Sequence, residues 1–155
     1  MKKNNLNLFK LALSKFATGL TIVSINADKE FIGKTVNSFA SLSLNPPLVL
    51  FSLDKKSTSL QLYKKANYIG INILSNKQKV LSEYFAKNKP EWGNVKHFLT
   101  ENNIPMLKNS VGNIDCEKIK MISQGDHLIF ICKVNKIKID KKKQPLIYLN
   151  SKYIL

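Results

Sequence analysis

Apolar residues recur at helical spacing near the start of the chain. The stripe consists of Leu6, Phe9, Leu13 and Phe16. Its members are three or four positions apart, whereas Lys10 and Lys15 lie off it, which predicts an amphipathic helix. Gly19 is placed where such a helix would end.

Most of the remaining chain consists of β-branched runs or of alternating polar and apolar residues, both typical of strands. The predicted strands cover 20–25, a segment from Phe31, the alternating stretch 35–44, then 48–53, 68–74, 114–122, 128–139 and 146–149. Turns are predicted at 27–30 and 124–126. The pair Pro46-Pro47 ends the strand before it, because proline has no N–H to donate to a sheet.

Two further helices are predicted, each beginning at a capping box. The two boxes are Thr58-x-x-Gln61 and Ser75-x-x-Gln78. The first helix runs to about Lys65, and the second carries the apolar residues of 80–85. The stretch 87–113 is polar and broken by prolines, so we expect an irregular excursion over the surface.

Strands outnumber helices in this pattern, with about seven strands against about three helices, and they connect as hairpins rather than as βαβ units. We therefore expect a mainly β (α+β) fold, a closed antiparallel barrel with helices packed outside it. No internal repeat divides the chain, which predicts a single domain over 1–155.

The charge is strongly positive, with 25 basic residues against 10 acidic ones and a formal net charge of +15. Every basic residue is a lysine, and the lysines are spread from Lys2 to Lys152. Nucleic acid is the first partner that such a charge suggests. The absence of arginine, the side chain that forks onto guanine edges, argues against sequence-specific reading, and we expect a solvated basic surface rather than the alternative of a nucleic-acid-binding barrel. That surface would still attract phosphorylated anions.

Cys116 and Cys132 lie in apolar surroundings without CxxC spacing, which predicts reduced core thiols and no metal site. No run approaches the ~20 apolar residues of a membrane span, and lysines interrupt the N-terminal stripe before it reaches signal-peptide length. We therefore expect a cytoplasmic protein.

Few residues are placed for acid–base chemistry. His97 lies in the irregular stretch, whereas His127 follows Asp126 at a tight turn between two apolar strands. An Asp-His pair at a barrel rim is a functional candidate, although turn chemistry alone also accounts for Gly125 and Asp126. No motif of a hydrolase or a kinase is present.

Two polar clusters remain. One is Thr35-Val36-Asn37-Ser38 with Ser41, and the other joins Ser52 to the segment 55–59 at a predicted helix start. A helix start surrounded by hydroxyls and lysines could bind a phosphate. The alternative is an ordinary capped helix with solvated lysines.

The first of these clusters and the Asp126-His127 pair belong to longer motifs that resemble the short-chain flavin reductases. The motifs are Phe16–Val23, Gly33–Val49, Ile71–Ser75, Gly125–His127 and Pro145–Tyr148. The resembled family is the FMN-binding split-barrel group, which includes the reductase partners of two-component flavin monooxygenases. The resemblance covers nearly the whole chain and is weakest at 87–110.

The resemblance implies a homodimer of six-stranded Greek-key split barrels that binds FMN, or FAD, near the subunit interface. It implies hydride transfer from NADH or NADPH to the flavin and release of reduced flavin to a partner monooxygenase. The implied flavin-binding residues are Thr35, Val36, Asn37 and Ser38 along the ring and ribityl chain, and Ser52, Lys55, Ser57 and Ser59 around the phosphate. His127 would stand beside the ring as the catalytic residue. The alternative is a non-catalytic flavin-binding or electron-carrier protein on the same barrel.

The C-terminal stretch departs from the family pattern. Where the family often has a histidine or aromatic residue and then Gly-Arg-Tyr, residues 148–153 are Tyr-Leu-Asn-Ser-Lys-Tyr. Lys152 keeps the positive charge but lacks the planar fork of arginine. The resemblance therefore leaves open which nicotinamide nucleotide is used.

Overall fold

The computed structural model describes residues 3–28, 30–87 and 90–154. The helices are α1 (Lys3–Ser14), α2 (Leu60–Lys65) and α3 (Lys79–Ala86), with a 3₁₀ turn at Asn76–Gln78 before α3. The strands are β1 (Thr18–Gly19), β2 (Thr21–Ala27), β3 (Glu30–Val36), β4 (Ala40–Leu44), β5 (Pro47–Asp54), β6 (Tyr68–Ile73), β7 (His97–Leu99), β8 (Pro105–Leu107), β9 (Gly112–Gln124), β10 (His127–Ile139), β11 (Ile147–Leu149) and β12 (Lys152–Ile154).

The main sheet is antiparallel throughout, with the strand order β3-β2-β6-β9-β10-β5-β4. Its two edge strands, β3 and β4, are consecutive in the chain and joined only by residues 37–39. Such a connection spans at most about 14 Å, so the sheet must curve back on itself. The expected mainly β class with flanking helices is confirmed.

Backbone hydrogen bonds do not close the expected barrel, because β3 and β4 do not pair with each other in the described part of the chain. The connection between these two strands is held to β5 by a side chain. The Ser38 hydroxyl donates to the Ser52 carbonyl at 2.9 Å and accepts from the Ser52 N–H at 3.0 Å. The connection between the edge strands is thereby fixed to β5, beside the seam between β3 and β4.

The interior of the curved sheet is filled by large apolar side chains. Phe51 of β5 and Phe130 of β10 stack with ring centroids 4.9 Å apart. Tyr63 of α2 packs edge-on against both rings, and its hydroxyl donates to the Val23 carbonyl at 2.8 Å. Complete burial raises the pKa of the Tyr63 phenol far above its usual value. The short helix α2 thus closes one end of the core.

A second apolar cluster lies outside the sheet, where α3 packs on β2 and β3. Phe85 of α3 and Trp92 belong to this cluster, together with Ile22, Leu74 and Leu146. Gly33 of β3 permits the close approach, because a β-carbon there would lie 2.6 Å from the Phe85 ring and 3.1 Å from that of Trp92.

A buried amide attaches β8 to the outer face of the sheet. Asn72 donates to the Ile22 carbonyl at 2.9 Å and accepts from the Leu107 N–H and from Asn113, both at 2.8 Å. Ser24 donates to the Pro105 carbonyl at 2.6 Å. The prediction that 87–113 is irregular throughout is therefore wrong, since β7 and β8 pair within it.

Helix and strand ends differ from the prediction in four places. The predicted strand 35–44 is divided, because residues 37–39 leave the sheet to connect its two edge strands, β3 and β4. The first capping box is wrong, because Ser59 rather than Thr58 precedes the helix and makes no capping bond. The second box is present, with Ser75 and Gln78 bonded reciprocally across the 3₁₀ turn. Helix α1 ends at Ser14 rather than near Gly19, and the chain adds a hairpin strand, β12, after the last predicted one.

Helix α1 forms as predicted, but its apolar side chains are exposed. Phe9 is 55% exposed and Leu13 57%. The helix is tied to the rest of the chain by the Asn150 N–H, which donates to the Ser14 carbonyl at 2.7 Å. Among the described residues, no helix combines the length and the apolar composition that crossing a membrane requires.

Candidate functional site

Several of the predicted site residues meet where β5 ends and β10 begins. His127 opens β10 opposite Asp54, the last residue of β5. The next residue, Lys55, donates its N–H to the Asp126 carbonyl at 2.8 Å and its ammonium to the Gly125 carbonyl at 2.6 Å. The turn before His127 is therefore fixed to the segment that leads into α2.

The His127 ring is oriented by its neighbour. Its Nδ1 lies 2.7 Å from Oδ1 of Asp126, which is itself 85% exposed. This hydrogen bond, with the charge of the histidine, lowers the pKa of the Asp126 carboxyl below its usual value. Because the contact uses Nδ1, a ligand would meet Nε2 or the face of the ring.

The segment before α2 carries hydroxyl and ammonium donors suited to a phosphate. The hydroxyls of Ser57 and Ser59 lie 3.2 Å apart, both half-buried, and Ser59 makes no capping bond. The Asp54 carboxylate, the nearby acidic group, accepts a hydrogen bond from the Lys56 N–H at 2.8 Å. Two adjacent hydroxyls and the Lys55 ammonium form a donor set that fits a phosphate ester.

The four residues of the predicted cluster at 35–38 do not all lie with the residues at the end of β5. Ser38 contacts Ser52, and Asn37 is exposed. The Thr35 hydroxyl instead donates to the Ser82 carbonyl of α3 at 2.7 Å. Val36 is buried in the core. Thr35 and Val36 could therefore meet a flavin mainly through backbone atoms.

A cavity of about 620 Å³ lies beside Ser59, between β3, the segment before α2, Lys87 and residues 90–92. Thr58 and Trp92 line it. Thr58 belongs to the segment 55–59 that the sequence predicts could bind a phosphate, whereas Trp92 was not singled out as a binding residue. A larger cavity of about 1060 Å³, against α3, includes none of the predicted site residues.

His97 has a structural environment. Its Nδ1 lies 2.7 Å from the Val95 carbonyl, and its ring packs edge-on against Phe31 and Trp92, with centroids 5.3 and 5.4 Å away. These contacts account for the residue without a ligand.

The two cysteines are free and buried, as predicted. Burial raises the pKa of Cys132 to about 12 and raises that of Cys116 as well. Both thiols therefore stay protonated and unreactive at neutral pH.

Comparison with known proteins gives one consistent result. Residues 13–154 match the sequence model of the flavin reductase like domain. The FMN reductase (NADH) SmoA of Agrobacterium fabrum is 35% identical over 130 residues, which cover 84% of this chain and 75% of SmoA. The reductase component of 4-hydroxyphenylacetate 3-monooxygenase from Thermus thermophilus is 30% identical, covering 94% of this chain and 93% of its own.

A solved structure agrees with the sequence comparisons. The flavin reductase PheA2 in its native state superimposes with a TM-score of 0.89 and 35% identity, covering 99% of this chain and 97% of its own.

Proposed function

The chain belongs to the flavin reductase like domain family, and we propose from this premise that it is an NAD(P)H-dependent flavin reductase. It transfers a hydride from the nicotinamide nucleotide to FMN or FAD. The observation that carries the proposal is the family match over residues 13–154, within which His127, Lys55, Ser57 and Ser59 meet at one end of β5. The similarity to SmoA, named an FMN reductase (NADH), favours NADH as donor.

The protein contributes position rather than acid–base chemistry. Bound flavin and nicotinamide supply the hydride transfer. We propose that Lys55, Ser57 and Ser59 hold the flavin phosphate and that Ser52 and Ser38 fix the barrel seam beside it. His127, held by Asp126, stands where the two rings meet and excludes water from them.

We further propose that two copies form a homodimer. A compact monomer of this mass would expose about 7,900 Å², whereas the chain exposes 9925 Å². The difference of roughly 2,000 Å² per chain is the size of an obligate dimer interface. Helix α1, whose apolar residues lack cover within one chain, is the natural part of that interface.

The partner that we propose is a flavin-dependent monooxygenase, as the Thermus thermophilus relative is named the reductase component of one. Two free buried thiols support a reducing, cytoplasmic setting. The family match over 13–154 supports the expectation of one domain across 1–155.

The test is oxidation of NADH and of NADPH by the purified protein with and without added FMN or FAD. We expect oxidation only when both protein and flavin are present. We also expect His127→Ala to lower turnover roughly tenfold to a hundredfold, the cost of a misplaced reacting ring. A non-catalytic flavin carrier would bind FMN without turnover, and His127→Ala would leave its behaviour unchanged.

A further inference from the structure

The cavity of about 1060 Å³ against α3 is separate from the proposed flavin site. Its walls come from the segment that leads from Ser75 into α3, from residues 93–96, from the turn at 108–109 and from residues 142–144. Its volume is at the upper end of the range for small-molecule sites, so it is large enough to take several side chains of a peptide. We call this cavity the lysine groove.

Positive charge dominates the lysine groove. Glu91 is the single carboxylate among its described residues, against five lysines, which are Lys77, Lys96, Lys108, Lys142 and Lys143. Lys143 pairs with Asp140 at 2.8 Å, whereas the other four contact no carboxylate in the part of the chain that the structure describes. Ammonium groups without a partner in the chain attract an acidic ligand and steer its approach.

The floor of the groove is apolar. It is formed by Val80, Leu81 and Tyr84 of α3 together with Val95. Leu81, Tyr84 and Val95 are half-buried on the second apolar cluster, whereas Val80 is 75% exposed. An apolar centre within a charged rim is the usual arrangement of a protein–protein interface. The charge and the floor together therefore favour a ligand that carries both carboxylates and apolar side chains.

The walls of the groove are fixed to one another by hydrogen bonds within the chain. The Gln78 amide donates to the Lys108 carbonyl at 2.9 Å. The Lys108 N–H donates to the Lys96 carbonyl at 3.0 Å, and the Asn76 N–H donates to the Gln144 carbonyl at 2.9 Å. The groove is thus formed before any ligand binds, which lowers the entropic cost of binding.

Helix α3 separates the lysine groove from the strand that carries predicted flavin-binding residues. Ser82 and Phe85 are buried on the side of α3 that faces the sheet, and the Ser82 carbonyl accepts the Thr35 hydroxyl at 2.7 Å. Val80 and Tyr84 line the groove on the other side. A partner bound in the groove would lie one helix away from the flavin, roughly 10 Å, without covering the residues proposed to hold it.

We propose that the lysine groove binds an acidic segment, with apolar side chains among its carboxylates, of the monooxygenase that receives the reduced flavin. This inference rests on the proposed function and deepens it by giving the partner a docking site. The lysines steer the segment and the apolar floor retains it. A nucleic acid fits the groove less well, because its floor is aliphatic except for Tyr84 and because Glu91 repels phosphates.

Fluorescence anisotropy of a rhodamine-labelled synthetic peptide tests the proposal. The peptide carries glutamates on both sides of two leucines, and a reference peptide has serines in place of the leucines. We expect the leucine peptide to bind the original protein more tightly than the serine peptide does, because only the leucines can use the apolar floor. Failure of the leucine peptide to bind, or equal affinity of the two peptides, would overturn the proposal.

Two matched pairs of charge reversals locate the binding site. Lys77→Glu with Lys108→Glu changes the groove, whereas Lys64→Glu with Lys120→Glu alters the net charge equally at exposed positions that do not line it. We expect the groove pair to weaken binding of the leucine peptide about tenfold and the control pair to leave it within about twofold. Equal weakening by both pairs would show a general attraction to a basic protein and would overturn the proposal.

Val80→Ser tests the apolar floor at a side chain that is mostly exposed and whose loss costs the fold little. It should weaken the leucine peptide by roughly threefold to tenfold and leave the serine peptide within about twofold. The same effect on both peptides would contradict a contact between Val80 and the leucines. A single-stranded oligonucleotide of matched charge that binds the groove more tightly than the leucine peptide would assign the groove to nucleic acid instead.

Oxidation of NADH with added FMN separates this proposal from the proposed function. The groove pair Lys77→Glu with Lys108→Glu should keep the rate of the original protein, because the groove lies outside the flavin site. A fall in that rate would place the groove within the flavin site and would overturn the proposal. Absence of flavin-dependent oxidation in the original protein would instead contradict the proposed function, whereas the peptide titrations report on the groove alone.

Discussion

His127 and Asp126 form a pair whose geometry can be tested before any ligand is added. The 2.7 Å contact joins a half-exposed ring to an exposed carboxylate. An exposed pair of this kind contributes little stability. The contact instead orients the His127 ring, which we propose to stand beside the flavin, by restraining it through Nδ1.

The pKa of Asp126 reports this restraint. Because His127 lowers that pKa, the contact stabilises the folded chain above the unfolded-state pKa and is lost as the pH falls through the lowered value. His127→Ala should raise the Asp126 pKa toward its ordinary value in an NMR titration. Asp140, whose pKa is lowered by Lys143 and Lys142, is the internal control and should not move. An Asp126 pKa that is the same with and without the histidine would show that the contact is not formed.

The hairpin of β11 and β12 shows how a departure from the family pattern acts on one element. Leu149 pairs with Lys152, which leaves Asn150 and Ser151 as a two-residue turn. Both have positive φ, 52° and 58°, as a type I′ turn requires, and such turns favour Asn followed by Gly. Serine at the second position is therefore strained.

Ser151→Gly should relieve this strain and raise the free energy of unfolding by about 1 kcal/mol. Urea denaturation measures the change as a higher midpoint with an unaltered slope. Asn150→Gly is the matched control and should gain less, because asparagine tolerates this conformation. A midpoint for Ser151→Gly at or below the original would contradict the strained turn.

Elements that follow from the residue pattern of their own segment were predictable from the sequence. Elements that depend on contacts with residues far away in the chain were not. Apolar and β-branched runs place β2, β5 and β6 correctly because such a run is a property of the segment itself. By contrast, β8 depends on the buried amide of Asn72, which lies 35 residues earlier in the chain. Thr58 fits a capping pattern, yet Ser59 takes the position before the helix.

The candidate site was recognisable in the same uneven way. The sequence predicts Ser38, Lys55 and His127 as site residues, and the fold brings the last two to one turn and Ser38 into contact with β5. The direction of a side chain depends on packing that no motif records. The Thr35 hydroxyl therefore turns to α3, and the adjoining cavity is visible only in three dimensions.

At the scale of the whole molecule, two surfaces lack partners within the chain. The chain carries a net charge of +15, and among the described lysines only those at 79, 136 and 143 contact carboxylates. A surface of this sign concentrates phosphorylated flavins and nucleotides near the site. The other surface is α1, with apolar residues exposed.

Disrupting α1 should separate the proposed dimer. Phe9→Asp places a charge on a residue that is 55% exposed in one chain and that we expect to be buried between two. Light scattering should then give the 17.6 kDa mass of one chain instead of twice that value. Asn7→Asp, an exposed polar position on the same helix, is the matched control and should leave the mass doubled. An original protein that is already monomeric would refute the dimer.

The most direct test of the central claim is anaerobic mixing of the protein and FMN, or FAD, with NADH or NADPH, followed by the absorbance of oxidised flavin. Oxygen is excluded so that reduced flavin accumulates. We predict that the absorbance falls rapidly with at least one nucleotide, at a rate proportional to protein concentration and far above that without protein. Flavin that binds the protein but stays oxidised with both nucleotides would contradict the assignment as a flavin reductase.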